Sequence, residues 1–306
     1  MRKLAIASFT NLGYRLHARK FAPLETDMGG KTVLVTGASG GLGLETARRL
    51  GAMGARVIMV ARDHAKLSRA SHTVDGPTAI EIADLSLLQD VRRLAERILE
   101  SEGHLDVLVN NVGVLLPKRE ITSEGVEKTL ATNLAGQFLL TNLLIPKLTD
   151  SAPARVINVS SGGMYSERIE PSDLQFAEET YKGTTAYART KRAQVILTEM
   201  WAQRFPDQRV LFHSMHPGWA ATSGVAASLP TFNKLMRPLL RTPEQGADTI
   251  VWLAVDSEPT RSSGRFWFDR EPAPTHLADS TRETERDRQR LWAALVDITD
   301  SDVLVA

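Results

Sequence analysis

The chain has 306 residues, 42% of them hydrophobic, enough for one large domain with a full core. Its 37 basic and 36 acidic side chains leave a formal charge of +1. They are scattered rather than striped, so nothing favours a nucleic-acid partner. There is no cysteine, which excludes disulfides, thiolate metal sites and cysteine nucleophiles; seven histidines lie without metal-ligand spacing, and no metal is expected.

Residues 1–28 read as an N-terminal arm. Met1 to Ala7 begins basic and turns apolar, but Asn11, Arg15, His17, Arg19 and Lys20 follow at once, unlike a signal peptide. No apolar run approaches the roughly 20 residues of a transmembrane helix, and the expectation is a cytoplasmic protein. Leu4, Ala7, Phe9, Leu12, Leu16 and Phe21 line one side of a short helix. Packing on its own domain is the expected use of that stripe, with membrane-surface binding as the alternative.

Residues 31–36 predict a buried strand. The glycine-rich 37–43 follows and opens a helix with Leu44, Ala47, Leu50 and Met53 on one side. Further strands are predicted at 56–61, 79–83 and 105–109. Ser86 with Gln89 reads as a capping box opening a helix to about residue 101. A long helical stretch over 123–148 is expected to stop near Pro146. A strand at 155–160, an irregular glycine-bearing insertion at 161–183 and a helix at 184–205 come next. A strand at 210–215 is broken by Pro217-Gly218, and a helix at 243–255 and a short strand at 265–268 follow. The tail, 278–306, is charged and then apolar at Leu291, Trp292, Leu295 and Val296, which predicts an appended helix. Strands alternating with helices at this spacing imply βαβ units, hence an α/β fold whose parallel sheet of about seven strands is covered on both faces. One domain, 29–277, lies between arm and tail.

Gly37, Gly41 and Gly43 fall between the first strand and the first helix, with Ser39, Gly40 and Leu42 completing the loop. Glycines there permit a tight turn and close backbone approach, and the helix N-terminus offers free N–H groups to a pyrophosphate. The spacing, T-G-x-x-x-G-x-G, departs from the commoner G-x-G-x-x-G. The second strand ends Val60-Ala61-Arg62-Asp63. With no acid at its tip and Arg62 directly after, the 2′-phosphate of NADP(H) is expected, with NAD(H) the alternative. Asp63 either accepts the ribose hydroxyl of NAD or caps the next helix. Asp84 and Leu85 follow the third strand, where an adenine edge would lie; capping is the other job for Asp84. Asn110, Asn111, Val112 and Gly113 follow the fourth, either walling the adenine ribose or serving sheet-edge hydrogen bonds.

Tyr187 and Lys191 stand i,i+4 on one helix face. An ammonium beside a phenol favours phenolate and lowers its pKa, so the tyrosine can exchange a proton with a carbonyl or alcohol near neutral pH.

Thr36-Gly37-x-x-x-Gly41-x-Gly43, Asp84, Asn110-Asn111-x-Gly113, Asn133, Val159-Ser160-Ser161, Tyr187-x-x-x-Lys191 and Pro217-Gly218-x-x-x-Thr222 together resemble the short-chain dehydrogenase/reductase superfamily over roughly residues 30–270. Val112 stands where alanine is usual. Longer strings, among them Met215-His216-Pro217-Gly218-Trp219-Ala220 and Ser263-Gly264-Arg265-Phe266, are similar to one subgroup that also carries an arm before the dinucleotide domain. The resemblance implies a Rossmann-type doubly wound sheet. It also implies an NAD(P)(H)-dependent oxidoreductase interconverting C=O and CH–OH groups. By the same resemblance Tyr187 is the general acid/base, and Lys191 lowers its pKa and binds the nicotinamide ribose. Ser161 orients the substrate oxygen, and Asn133 holds a water linking Lys191 to solvent. Thr222 and the backbone of Pro217, Gly218 and Ala220 meet the carboxamide. Ser160 competes with Ser161; strand alternation points them apart, and the family uses the second serine of the pair. A non-catalytic dinucleotide-binding sensor or scaffold is the rival reading.

The insertion 162–183 and the stretch 223–241 are expected to shape the substrate pocket. Val225, Leu229, Phe232, Leu235, Met236, Leu239 and Leu240 would make the second an apolar lid. A small lipophilic carbonyl or alcohol, retinoid-, steroid- or fatty-aldehyde-like, is the expected partner. A monomer or homodimer is expected, since members of the superfamily often dimerise through the helices at 123–148 and 184–205.

Overall fold

The computed structural model describes residues 6–221 and 234–302. Eight strands form one sheet: β1 Thr32–Thr36, β2 Arg56–Ala61, β3 Thr78–Ile82, β4 Val107–Asn110, β5 Ala154–Val159, β6 Val210–Met215, β7 Arg265–Phe268 and β8 Glu271–Pro272. Their order is β3-β2-β1-β4-β5-β6-β7-β8. All pairings from β3 to β7 are parallel. The strand beyond the expected seven is β8, which returns antiparallel from β7. Asp269 and Arg270 make that two-residue turn with φ of 51° and 60°, the left-handed pair a tight hairpin needs.

The β-branched strands are buried on both faces, and alternation divides them. Val33, Val35, Val57, Met59, Val109 and Ile157 pack against α2 (Gly41–Ala52), α3 (His64–Ser71) and α7 (Pro243–Val255). Leu34, Ile58, Leu108, Val156 and Phe212 face α4 (Leu88–Ser101), α5 (128–150) and α6 (Gly183–Arg204). The tail forms α8 (Glu285–Thr299), with Leu291, Trp292 and Leu295 on the outer side of α5 and α6. Trp292 meets Phe138 edge-on at 5.0 Å, and the Arg204 guanidinium lies 3.6 Å over its ring. This tail covers part of the surface through which dimerisation was expected.

Two expectations are corrected by distant contacts. Ser86 does not cap α4. Its hydroxyl donates to Asp84, while Glu124 accepts from Leu88 N and Gln89 N. The stretch 123–148 is not one helix. Thr122 to Val126 closes a turn first, with Gly125 at φ 81°. Then α5 starts as Lys128–Leu130 on a Glu127 cap, passes through a π-helical piece, Ala131–Ala135, and continues as Gly136–Asp150. It runs through Pro146 rather than stopping there, because Leu148 is fully buried and holds the last turn down.

The arm packs on its own domain. After a short turn (Ile6–Phe9), α1 (Asn11–Ala18) lies against the carboxyl end of β6 and β7. Phe9 is buried, whereas Leu12 and Leu16 of the expected stripe are 56% and 60% exposed. Leu4 lies outside the described residues, as do Thr222, Val225, Leu229 and Phe232.

Candidate active site

The sheet reverses its winding between β1 and β4, opening a crevice at their carboxyl ends. Here β1 runs into Gly37, which adopts φ 70°. A Cβ on Gly43 would sit 2.4 Å from the Gly37 carbonyl and 2.6 Å from Asn111 Nδ2, so helix and strand approach too closely for any side chain. Gly40 ends the turn, with nothing within 4 Å of where its Cβ would be. No side chain caps α2 and no acid lies in its first turn. Its leading N–H groups therefore face an open cradle that suits a pyrophosphate. Ser39 sits partly exposed in the turn, and Leu42 leans toward Gly246 on α7.

Arg62 is exposed just past β2, without a hydrogen bond or ion pair to another described residue. Asp63 is the cap of α3, accepting from Lys66 N at 2.9 Å. Asp84 is bound into its own turn by Ser86, and Leu85 is a core residue. Asn110 is fully buried, its amide donating to Thr141 and Asn158, so its side chain serves the sheet rather than a ribose. Asn111 ties the phosphate loop down by donating to the Thr36 carbonyl. Val112 N donates to the Thr36 hydroxyl. Gly113 is exposed, and a Cβ there would come within 3.2 Å of Lys191 Nζ. The segment 111–114 thus joins the phosphate loop to the Tyr/Lys helix.

Asn133 lies in the π-helical piece, a local register change that turns its side chain out of the ordinary helix spacing. Its amide brackets Val114, accepting from the nitrogen at 2.7 Å and donating to the carbonyl at 2.9 Å, with a third bond to Thr190. That fixes the loop beside Lys191. The serine pair divides as alternation demands. The buried Ser160 hydroxyl donates to the Lys191 carbonyl, whereas Ser161 lies on the Tyr187 side: a Cβ on Gly163 would sit 3.6 Å from the Ser161 hydroxyl and 3.7 Å from the Tyr187 ring. Pro217, Gly218 (φ 77°) and Ala220 line the next loop, and Ala220 bridges to Arg241. Thr190 and Arg241 were missed by sequence reasoning. The first carries no signal apart from its neighbours. The partners of Arg241 are Asp269 and arm carbonyls more than 230 positions away.

Lys191 is 3% exposed, and its ammonium donates to the Val159 carbonyl at 2.8 Å with no carboxylate beside it among the described residues. Burial alone pushes its pKa down to about 7. Tyr187, whose ring centroid lies 5.7 Å from Lys191 Nζ, is pushed up rather than down. Desolvation is the larger effect, and the neighbouring Ser161 hydroxyl opposes it. Burial of the phenol therefore outweighs the lowering expected from a neighbouring ammonium.

An uncapped helix above a glycine cradle, a buried lysine with donors to spare and a serine–tyrosine pair share one cleft. Fold and site therefore define a nicotinamide-dinucleotide-binding oxidoreductase. Residues 31–231 match the family model described as short chain dehydrogenase. The chain is 40% identical to dehydrogenase/reductase SDR family member 12 of Bos taurus, covering 89% of this chain and 87% of that protein. It is 35% identical to human retinol dehydrogenase 13, over 89% and 85%. Among solved structures, the Pseudomonas aeruginosa RhlG/NADP active-site complex superposes with a TM-score of 0.65 at 27% identity, covering 80% and 96%. The chain belongs to the short-chain dehydrogenase family.

Proposed function

We propose that the protein reduces a lipophilic carbonyl compound to the alcohol, or runs the reverse, with NADP(H) preferred over NAD(H). The observation that carries this reading is that Ser161 and the Tyr187 ring flank Gly163 together, one helical turn from a buried Lys191. When bound, the dinucleotide supplies or takes the hydride. The Gly37–Gly43 cradle and the α2 N-terminus would hold its pyrophosphate, the exposed Arg62 its 2′-phosphate, Lys191 its nicotinamide ribose, and the loop after Pro217 its carboxamide. Ser161 and Tyr187 point two hydroxyls at one place, where a carbonyl oxygen is oriented and its developing charge stabilised. A phenol held above its usual pKa stays protonated at neutral pH, which suits it to donate in the reductive direction. A lysine near 7 is matched to hand that proton back. Asn133 holds the 113–114 backbone against Lys191 and keeps that route in place.

The lipophilic substrate class is supported by the relationship to retinol dehydrogenase 13 and by the exposed Leu235 in the stretch expected to shape the pocket. The test is reduction of all-trans-retinal and a panel of steroid ketones and fatty aldehydes, with NADPH and NADH in parallel. Tyr187→Phe should abolish turnover and leave NADPH binding nearly intact. Equal turnover by wild type and Tyr187→Phe would leave the non-catalytic sensor as the better reading.

A further inference from the structure

Ser161 opens a tight turn, Gly162–Ser166, and its hydroxyl is oriented from within that turn by Gly163 N at 3.2 Å. The turn is anchored from outside through Gly162 N, which donates to His216 Nδ1 at 3.0 Å. No slack exists at this contact, since a Cβ on Gly162 would lie 2.8 Å from His216 Nε2 and 3.4 Å from Phe9 Cε2. An amide N–H only donates, so Nδ1 must be the unprotonated nitrogen. Nε2 then carries the hydrogen, yet it is buried and has no partner among the described residues. A buried ring that leaves one nitrogen unsatisfied is costly, and the bond it does make is the one to the serine turn.

The ring is clamped by aromatic neighbours. Phe268 stacks on it at 5.2 Å and 18°, and Phe9 of the arm meets it at 4.6 Å and 85°. Phe9 is fixed in turn, its carbonyl accepting from Trp219 N at 2.8 Å and from Arg241 Nε at 3.2 Å. Arg241 is itself locked in a fully buried pair with Asp269 at 2.6 Å. The arm thus touches both sides of the cleft: the serine turn through His216 and the 217–220 loop through Trp219.

We propose that His216 is a positioning residue for Ser161, and that Phe9 of the N-terminal arm holds it in place. This deepens the oxidoreductase reading and rests on it. The ring stays neutral at any working pH, since burial and then the Arg241 charge push its pKa down to about 3.

The test compares His216→Asn with His216→Leu in the full-length protein. Asparagine Oδ1 replaces Nδ1 as acceptor; leucine fills the space and accepts nothing. With NADPH and all-trans-retinal, His216→Leu should lower kcat about tenfold, the effect of losing one buried hydrogen bond. NADPH affinity should change by less than about twofold, because the pyrophosphate cradle is untouched. His216→Asn should recover kcat to within about threefold of wild type. Equal kcat in the two variants would overturn the proposal. Phe9→Ala should lower kcat about threefold by loosening the ring, and an unchanged value would remove the arm from the account. A second readout needs no substrate. Amide hydrogen exchange across 160–166 should be slow in wild type and His216→Asn and fast in His216→Leu. The same exchange in all three overturns the positioning role, whether or not any aldehyde is reduced.

Discussion

Replacing Lys191 by methionine should make the cofactor-free protein more stable while abolishing turnover. The ammonium is buried and, among the described residues, has one hydrogen bond, to the Val159 carbonyl, and no counter-ion. Its pKa falls from 10.5 to about 7 on folding, which corresponds to roughly 4–5 kcal/mol withheld from stability at neutral pH. Methionine is of similar length and apolar, so it keeps the packing and removes that cost. It also leaves the Val159 carbonyl without its donor, which costs about 1–3 kcal/mol. The net gain is about 1–4 kcal/mol, or roughly 2–6 °C in Tm for a chain of this length. The sign with pH follows from the depressed folded value. Between about 7 and 10.5 the unfolded lysine binds a proton that the folded one has released, so wild-type stability rises with pH across that window. The advantage of Lys191→Met is therefore largest at pH 7 and shrinks toward pH 10. Thermal unfolding followed by circular dichroism at several pH values, without cofactor, measures it. A variant less stable than wild type at pH 7, or a gap that widens as pH rises, would refute the reasoning. Saturating NADPH should narrow or reverse the order, since the lysine's donors are then used.

The remaining predictions probe other parts of the same cleft. Gly43→Ala drives a methyl to 2.4 Å from the Gly37 carbonyl, a rigid backbone wall. It should cost about 2–3 kcal/mol in urea unfolding and lose NADPH binding by fluorescence titration; wild-type values in both would exclude the tight cradle. Arg62→Ala should raise the KM for NADPH about tenfold and leave that for NADH unchanged, so an unmoved NADPH value removes Arg62 from the cofactor site. His213 is fully buried, accepting from the Trp267 indole at Nδ1, and burial lowers its pKa from 6.5 to about 4. Below pH 6.5 the unfolded chain takes up a proton that the folded one refuses until about 4. Stability should fall with pH across that window, by about 3 kcal/mol at its lower end. His213→Gln should flatten the acid side of a urea-midpoint profile; an unchanged slope would show that other groups set it.

Much of the fold was legible because its signals are local. The strand at 210–215 and the helix at 243–255 were bounded correctly from hydrophobic period and flanking prolines. The glycine spacing at 37, 41 and 43 announced a close approach that the structure shows as a 2.4 Å limit. Strand alternation alone points Ser160 and Ser161 to opposite faces. What was illegible depended on distant partners. Glu124 caps α4 from 36 positions away, so the local Ser86/Gln89 pattern misled. The Pro146 stop failed because burial of Leu148 outweighed one lost helical hydrogen bond.

The sequence by itself determined the order of strands and helices, the phosphate loop and the i,i+4 placement of Tyr187 and Lys191. Each of these follows from backbone sterics and periodicity within a few residues. Tertiary structure alone decided the protonation behaviour of that pair and the reach of the arm to His216. Desolvation is a property of everything packed around a group, and no run of neighbouring residues encodes how much water a fold will exclude.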